Sequence, residues 1–220
     1  MGYEERRKRD QEALRNRILD AARELFAELG YEAVTMRRIA ARIEYSPTTI
    51  YLHFRDKAAL VRELCSVDFL SLAMHFRAIG AQGDPLERIK EIGRAFVAFG
   101  LEHPNHYRLM FMTPHPPVPE NARRIAKGSL DEDAWAMLVA AVAEAQQKGV
   151  LRSDRGDANA LAQQFFAGVH GVVALHLAKA DDPWIGWTPV REASERMMEA
   201  LIQGFSLPLA SPPAAKRVRA

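Results

Sequence analysis

The chain has 220 residues, 48% of them hydrophobic, which is enough for one large buried core or two modest ones. Formal net charge is only +2, and the surplus sits near the N-terminus: residues 1–60 hold 12 Lys/Arg against 10 Asp/Glu, the remainder 18 against 18. No run of about 18 apolar residues predicts a membrane span, the charged start "MGYEERRKRDQEALRNR" lacks a secretory apolar core, and a lone cysteine, Cys65, excludes an intrachain disulfide framework and suits the cytoplasm.

Helical spacing recurs along nearly the whole chain and no segment alternates as a strand, so the expected fold class is all-α. A first helix is predicted over about residues 9–29, with Ile18, Ala22, Leu25, Phe26 and Leu29 as its apolar stripe and Gly30 as a left-handed stop. Residues 1–10 read as a flexible arm. The basic run Arg6–Arg9 within it is first a solvated leader, and second an arm reaching a groove or phosphates. Thr35 caps a second helix carrying Met36, Ile39, Ala40 and Ile43. After a tight break, Ser46 caps a third, with Pro47 at its first position, ending near His53. Asp56 caps a long fourth helix from Lys57 toward Ala78.

From Pro85 the pattern is that of a helical bundle. One helix carries Ile89, Ile92, Phe96 and Phe99, a short apolar piece "YRLMFM" follows, and "TPHPPVPEN" is a Pro-rich loop. Further helices run through Trp135 and Val142 to Gly149, through the apolar "DANALAQQFFAGVHGVVALHLA", and from Pro189 through Met197, Leu201 and Phe205. Residues 208–220, with the basic "KRVR", read as a disordered solubilising tail. The expected domains are therefore 1–60 and 61–207.

Residues 35–53 have the spacing of a helix-turn-helix. Ile39, Ala40, Ile43, Ile50 and Phe54 are the inward positions, which leaves Thr48, Thr49, Tyr51 and His53 outside, backed by Arg37 and Arg38. Residues 35–57 hold five basic groups against two acidic. Short hydroxyls, an aromatic and forked arginines are what base edges and phosphates demand of a helix in a major groove. The helix N-termini at Thr35 and Asp56 offer free N–H groups to phosphates, and Lys57 adds a charge beside one of them.

The stretch "ILDAARELFAELGYEAVTMRRIAARIEYSPTTIYLHFRDKAAL", residues 18–60, resembles the DNA-binding region of the TetR family of bacterial transcriptional regulators. The specific parts are "LFAELGYEAVT", the "IA" of the second helix, "IYLHF" and "KAAL". The resemblance implies phosphate contacts by Tyr51 and Lys57, base-edge positions for Arg37, Pro47, Thr48 and Thr49, and a backbone approach by His53. Thr35, Arg38 and Ser46 complete the expected DNA-binding set. One departure stands in the turn: Glu44 occupies a place where the family usually has glycine. "FAGVHGVVAL" is similar to a Trp-His-Gly signature in the C-terminal domain of one TetR subgroup, here Val169-His170-Gly171.

The resemblance further implies a C-terminal helical domain for effector binding and dimerisation. The expected function is that of a repressor, binding a near-palindromic operator as a homodimer and released by a small apolar or amphipathic ligand. A ligand-independent DNA-binding protein or an activator is the alternative. Candidate pocket residues are Phe96, Phe99, Met110, Phe111, Trp135, Phe165, Phe166 and His170, all of which also suit a plain core. Gly168, Gly171, Ala174, Leu175, Met197 and Leu201 are the candidate dimer surface, where small residues allow close helix approach. No Ser/His/Asp elbow, phosphate loop or HExxH motif suggests an enzyme, and no cofactor or membrane partner is expected. His103 and His106 are separated by Pro104, which argues against one helix face, and no Cys or carboxylate cluster joins them, so they do not read as a metal pair.

Overall fold

The computed structural model describes residues 2–81, 83–114 and 124–206. Among these the fold is helical throughout: α1 (Tyr3–Ala33), α2 (Met36–Arg42), α3 (Pro47–His53), α4 (Lys57–Ile79), α5 (Pro85–Glu102), α6 (Pro104–Tyr107), a π-helical turn (Arg108–Met112), α7 (Ala134–Gln147), α8 (Ala158–Lys179) and α9 (Val190–Phe205). The all-α expectation holds.

Packing divides the chain into two compact units. One takes the chain up to Ala78 and again Ala95–Met137; the other takes Ile79–Arg94 and the chain from Leu138 onward. The boundary expected near residue 60 falls inside α4, within the first unit.

α1 starts at Tyr3, six residues before its expected first turn, so the positions read as an arm are exposed helical turns. Its backbone breaks at Gly30, where φ is 76°, as a left-handed stop requires. Leu29, expected in the apolar stripe, is exposed, whereas Ile18, Ala22, Leu25 and Phe26 are buried. The tail 208–220 and most of the loop at "TPHPPVPEN" lie outside the described residues.

The core of the first unit joins Ile18, Ala22 and Phe26 of α1 to Ile39 of α2, Ile50 of α3 and Leu60 and Leu64 of α4. Burying side chains of this size contributes about 1.5–3 kcal/mol each, which is what locks the short helices α2 and α3 in place. Midway along α4, Asp68 has no exposed surface. Its carboxylate accepts from Arg23 Nε at 3.3 Å and from the Arg23 guanidinium again at 2.9 Å, and lies 3.0 Å from His106 Nδ1. A buried carboxylate is tolerated here because charge and hydrogen-bonding capacity are both met. Cys65, one turn earlier, is buried, and burial pushes its thiol up to about 12, far from a reactive thiolate.

In the second unit α8 and α9 pack closely. A Cβ on Gly168 would lie 2.7 Å from a Leu201 methyl and 3.2 Å from the Met197 sulfur, and one on Gly93 would collide with the Met198 sulfur. By length and composition α8 is apolar enough to cross a membrane, yet only 28% of its apolar window is buried within the chain. Gln163, Gln164, His170 and His176 interrupt its apolar run.

Candidate nucleic-acid interface

Capping decides where α2 and α3 begin. The Thr35 hydroxyl accepts from Arg38 N at 3.2 Å, and the Ser46 hydroxyl accepts from Thr49 N at 3.2 Å while Pro47 fills the first helical position. The turn between them reverses through Glu44, whose φ of 61° makes it the one non-glycine in the left-handed region among the described residues. Glu44 N donates to Ala41 O and Tyr45 N to Ala40 O, so the αL step closes the end of α2. That conformation costs a side-chain-bearing residue about 1–2 kcal/mol. Glu44→Gly is expected to stabilise the protein by about 0.5–1 kcal/mol, because part of the relieved strain is offset by greater freedom in the unfolded chain. Chemical denaturation would read the change.

With Ile50 and Phe54 buried, the other side of α3 faces solvent. Ser46, Pro47, Thr48 and Tyr51 are exposed there, with Tyr51 at 53%. Thr49 and His53 are half-buried. The Thr49 hydroxyl sits 2.9 Å from that of Ser46, so the pair presents one shared polar edge. On α2, Arg37 is exposed, while Arg38 turns back to donate to Ala33 O at 2.6 Å. Burial and the nearby Arg15 charge lower the basicity of His53, which is therefore a neutral ring rather than a cation at neutral pH.

Lys57 is less free than its place at a helix start suggests. Its ammonium donates to Tyr31 O at 2.8 Å and lies 4.0 Å from the Tyr31 ring centroid. Two of its three donors are still open to a phosphate. Beside it Asp56 caps α4 by accepting from Ala59 N at 2.6 Å, and this backbone bond holds its carboxyl below the usual range.

Two exposed neighbours escaped the sequence reading. Tyr45, in the turn, is 40% exposed with the Arg17 guanidinium 5.4 Å from its ring centroid; Leu52 of α3 is 82% exposed. A turn tyrosine next to a capping serine was the available signal for the first. For Leu52, helical spacing from buried Ile50 was enough to place it outside.

The remaining candidates separate between the units. Phe96, Phe99, Met110, Phe111 and Trp135 belong to the first, where the Phe96 and Phe111 rings lie 5.4 Å apart and both pack on Tyr107. Phe165, Phe166 and His170 belong to the second, where His170 stacks on Phe166 at 5.6 Å and burial lowers its basicity. Gly168, Met197 and Leu201 meet one another inside the chain, whereas a Cβ on Gly171 would meet open space and Leu175 is 52% exposed. His103 and His106 rings lie 5.1 Å apart, and no group of three or more possible ligands that could hold a metal occurs among the described residues.

A capped helix pair, locked on a third helix and presenting hydroxyls, an aromatic and arginine on one face, defines a helix-turn-helix regulator. Residues 18–64 match the family model for bacterial regulatory proteins of the tetR family, and residues 89–201 match the tetracyclin repressor-like C-terminal domain. The chain belongs to the TetR family, a family of transcriptional regulators and not of enzymes. It is 48% identical over 56 residues to the transcriptional repressor Rv1474c of Mycobacterium tuberculosis, covering 26% of this chain and 30% of that protein. To the transcriptional regulator UidR of Escherichia coli it is 37% identical over 75 residues, 34% of this chain and 35% of UidR. The chain thus spans about a third of the length of these curated relatives. A solved structure of a Rhodococcus protein of unknown function superposes with a TM-score of 0.64 at 26% identity, covering 88% of this chain and 95% of that one.

Proposed function

We propose that this protein is a cytoplasmic repressor that binds a near-palindromic operator as a homodimer and lets go when a small apolar or amphipathic ligand binds. The observation that carries the DNA reading is the outer face of α3, where Thr48 and Tyr51 are exposed while Ile50 between them is buried. In this reading Thr48 and Thr49 meet base edges with Pro47 and Arg37, while Tyr51, Lys57, His53, Arg38 and the helix starts at Thr35 and Ser46 position the backbone. The repressor sense is supported by the name of the relative Rv1474c.

Dimerisation is supported by α8, which is mostly apolar yet leaves Leu175 exposed and open space beside Gly171. A second copy covering Gly171, Ala174 and Leu175, with α9 residues Met197 and Leu201 alongside, would remove that apolar surface from water. Two recognition helices would then fall about 34–36 Å apart or a multiple, one per half-site. Effector release requires a ligand with different affinity for two states of the dimer. Its contacts are proposed within one unit, either among Phe96, Phe99, Met110, Phe111 and Trp135 of the first or among Phe165, Phe166 and His170 of the second, whose mostly apolar character sets the ligand class.

The test is selection of duplexes by the full chain from a random library, followed by light scattering of the complex. A selected sequence with inverted half-sites and two chains per duplex is expected. Enrichment of no sequence sinks the reading. A complex that no apolar or amphipathic compound weakens sinks the effector claim alone.

A further inference from the structure

The DNA-binding unit holds a second, strongly basic site. A recess of about 300 Å³ opens behind the end of α3, and four arginines line it, Arg15, Arg55, Arg62 and Arg124, against one carboxylate, Glu63. Glu63 is 9% exposed, and a single one of its oxygens takes both Arg15, at 3.0 Å, and Arg124, at 2.5 Å. Arg55 is met by Asp56 at 3.0 Å. Arg62 makes no ion pair among the described residues, and the neighbouring Ser66 hydroxyl is spent on Arg62 O at 2.7 Å. With Arg55 set aside as paired, three guanidiniums face one carboxylate, an excess of about two positive charges.

We propose that this recess binds a small phosphomonoester, a free metabolite carrying a phosphate of roughly two negative charges. The size excludes a large ligand, since it sits at the small end of the range for small-molecule sites, about 300 Å³. The three guanidiniums come from α1, from α4 and from the segment ahead of α7, so they approach from separate elements. A tetrahedral phosphate offers oxygens in three directions, whereas a planar carboxylate offers two. The recess runs along α4 from Ala59 to Ser66 and shares His53 with the α3 end of the DNA-binding set, but none of Thr48, Thr49 and Tyr51 lines it, and Glu63 inside it opposes a DNA backbone.

Occupancy reaches the recognition helix through Arg15. That side chain donates to His53 O at 3.4 Å and stacks over the Phe54 ring at 4.4 Å, besides holding Glu63. A phosphate that draws Arg15 and Arg124 from Glu63 alters what supports the last turn of α3. The site is thus a regulatory input separate from the apolar effector, and it rests on the helix-turn-helix assignment only for that consequence.

Calorimetric titration of the full chain with glycerol 3-phosphate, at constant ionic strength in chloride, tests it. One saturable site per chain is expected, weakened tenfold or more in Arg62→Gln and in Arg124→Gln. Succinate, as the dicarboxylate arm, is expected to bind at least tenfold more weakly. Circular dichroism melts of both variants establish that they fold, and Arg124, with 59% of its side chain exposed, keeps the test available should Arg62→Gln unfold. Absence of saturable binding, equal binding of succinate, or unchanged affinity in a folded Arg124→Gln overturns the proposal. Loss of operator affinity in both variants without any anion, with a shallower salt dependence, also overturns it by assigning the arginines to DNA backbone. Anion binding is read without DNA, so its failure is separable from failure of the operator reading.

Discussion

Tyr51→Ala is expected to lower operator affinity about ten- to a hundredfold while leaving the unfolding midpoint unchanged. The ring stands on the outer face of α3 with 53% of the residue exposed, beside buried Ile50, so its removal opens no cavity. A hydrogen bond from a phenol to a phosphate is charge-assisted and contributes about 1.5–3 kcal/mol, which converts to that range of affinity. Tyr51→Phe separates the parts: it keeps the ring and loses the donor, so most of the deficit should persist. Fluorescence anisotropy against a selected duplex, over a series of salt concentrations, reads both variants. Wild-type affinity in Tyr51→Ala would mean that this face of α3 does not meet DNA.

Asp68→Ala is expected to destabilise the protein by about 3–5 kcal/mol, the usual penalty for removing one partner of a buried ion pair. Arg23 would be left with 9% of its side chain exposed and only Asp20 as a charged partner, at 2.9 Å on the surface. His106 would lose its acceptor too. Asp68→Asn keeps the shape and one acceptor oxygen, so a smaller loss is expected. The double variant Arg23→Met/Asp68→Leu removes both charges, and recovery of most of the lost stability would show that the single-variant deficit comes from the stranded guanidinium. Urea denaturation measures all three. A loss below about 1 kcal/mol in Asp68→Ala would show that water already satisfies Arg23. The carboxylate joins α1, α4 and α6, so its loss should also weaken operator binding indirectly.

Much of the fold was legible because local rules carry it. The Thr35 and Ser46 caps, Pro47 at a first turn and the Gly30 stop each act over one helical turn, and each lies where spacing placed it. Leu29 and the start of α1 were misjudged for a related reason. The first turns of α1 are helical yet exposed, and Leu29 sits on the solvent side of the same helix, so helix formation there follows local propensity and not burial.

The outer face of α3 could be read from Ile50 and Phe54 alone, since one buried position on a seven-residue helix and a buried residue at its C-cap leave one side for solvent. Periodicity and capping act between neighbours, so the amino-acid order already contained the helix-turn-helix and its polar face. Other features needed the folded chain. Arg23 finds Asp68 across 45 residues and Asp68 finds His106 across 38; Arg124 reaches Glu63 across 61. Lys57 turns onto Tyr31 O across 26 residues, which its position at a helix start did not announce. A charge can pair with many partners of opposite sign at such separations, and only packing of the helices selects one. That selection sets the buried carboxylate, the partly engaged lysine and the arginine-lined recess.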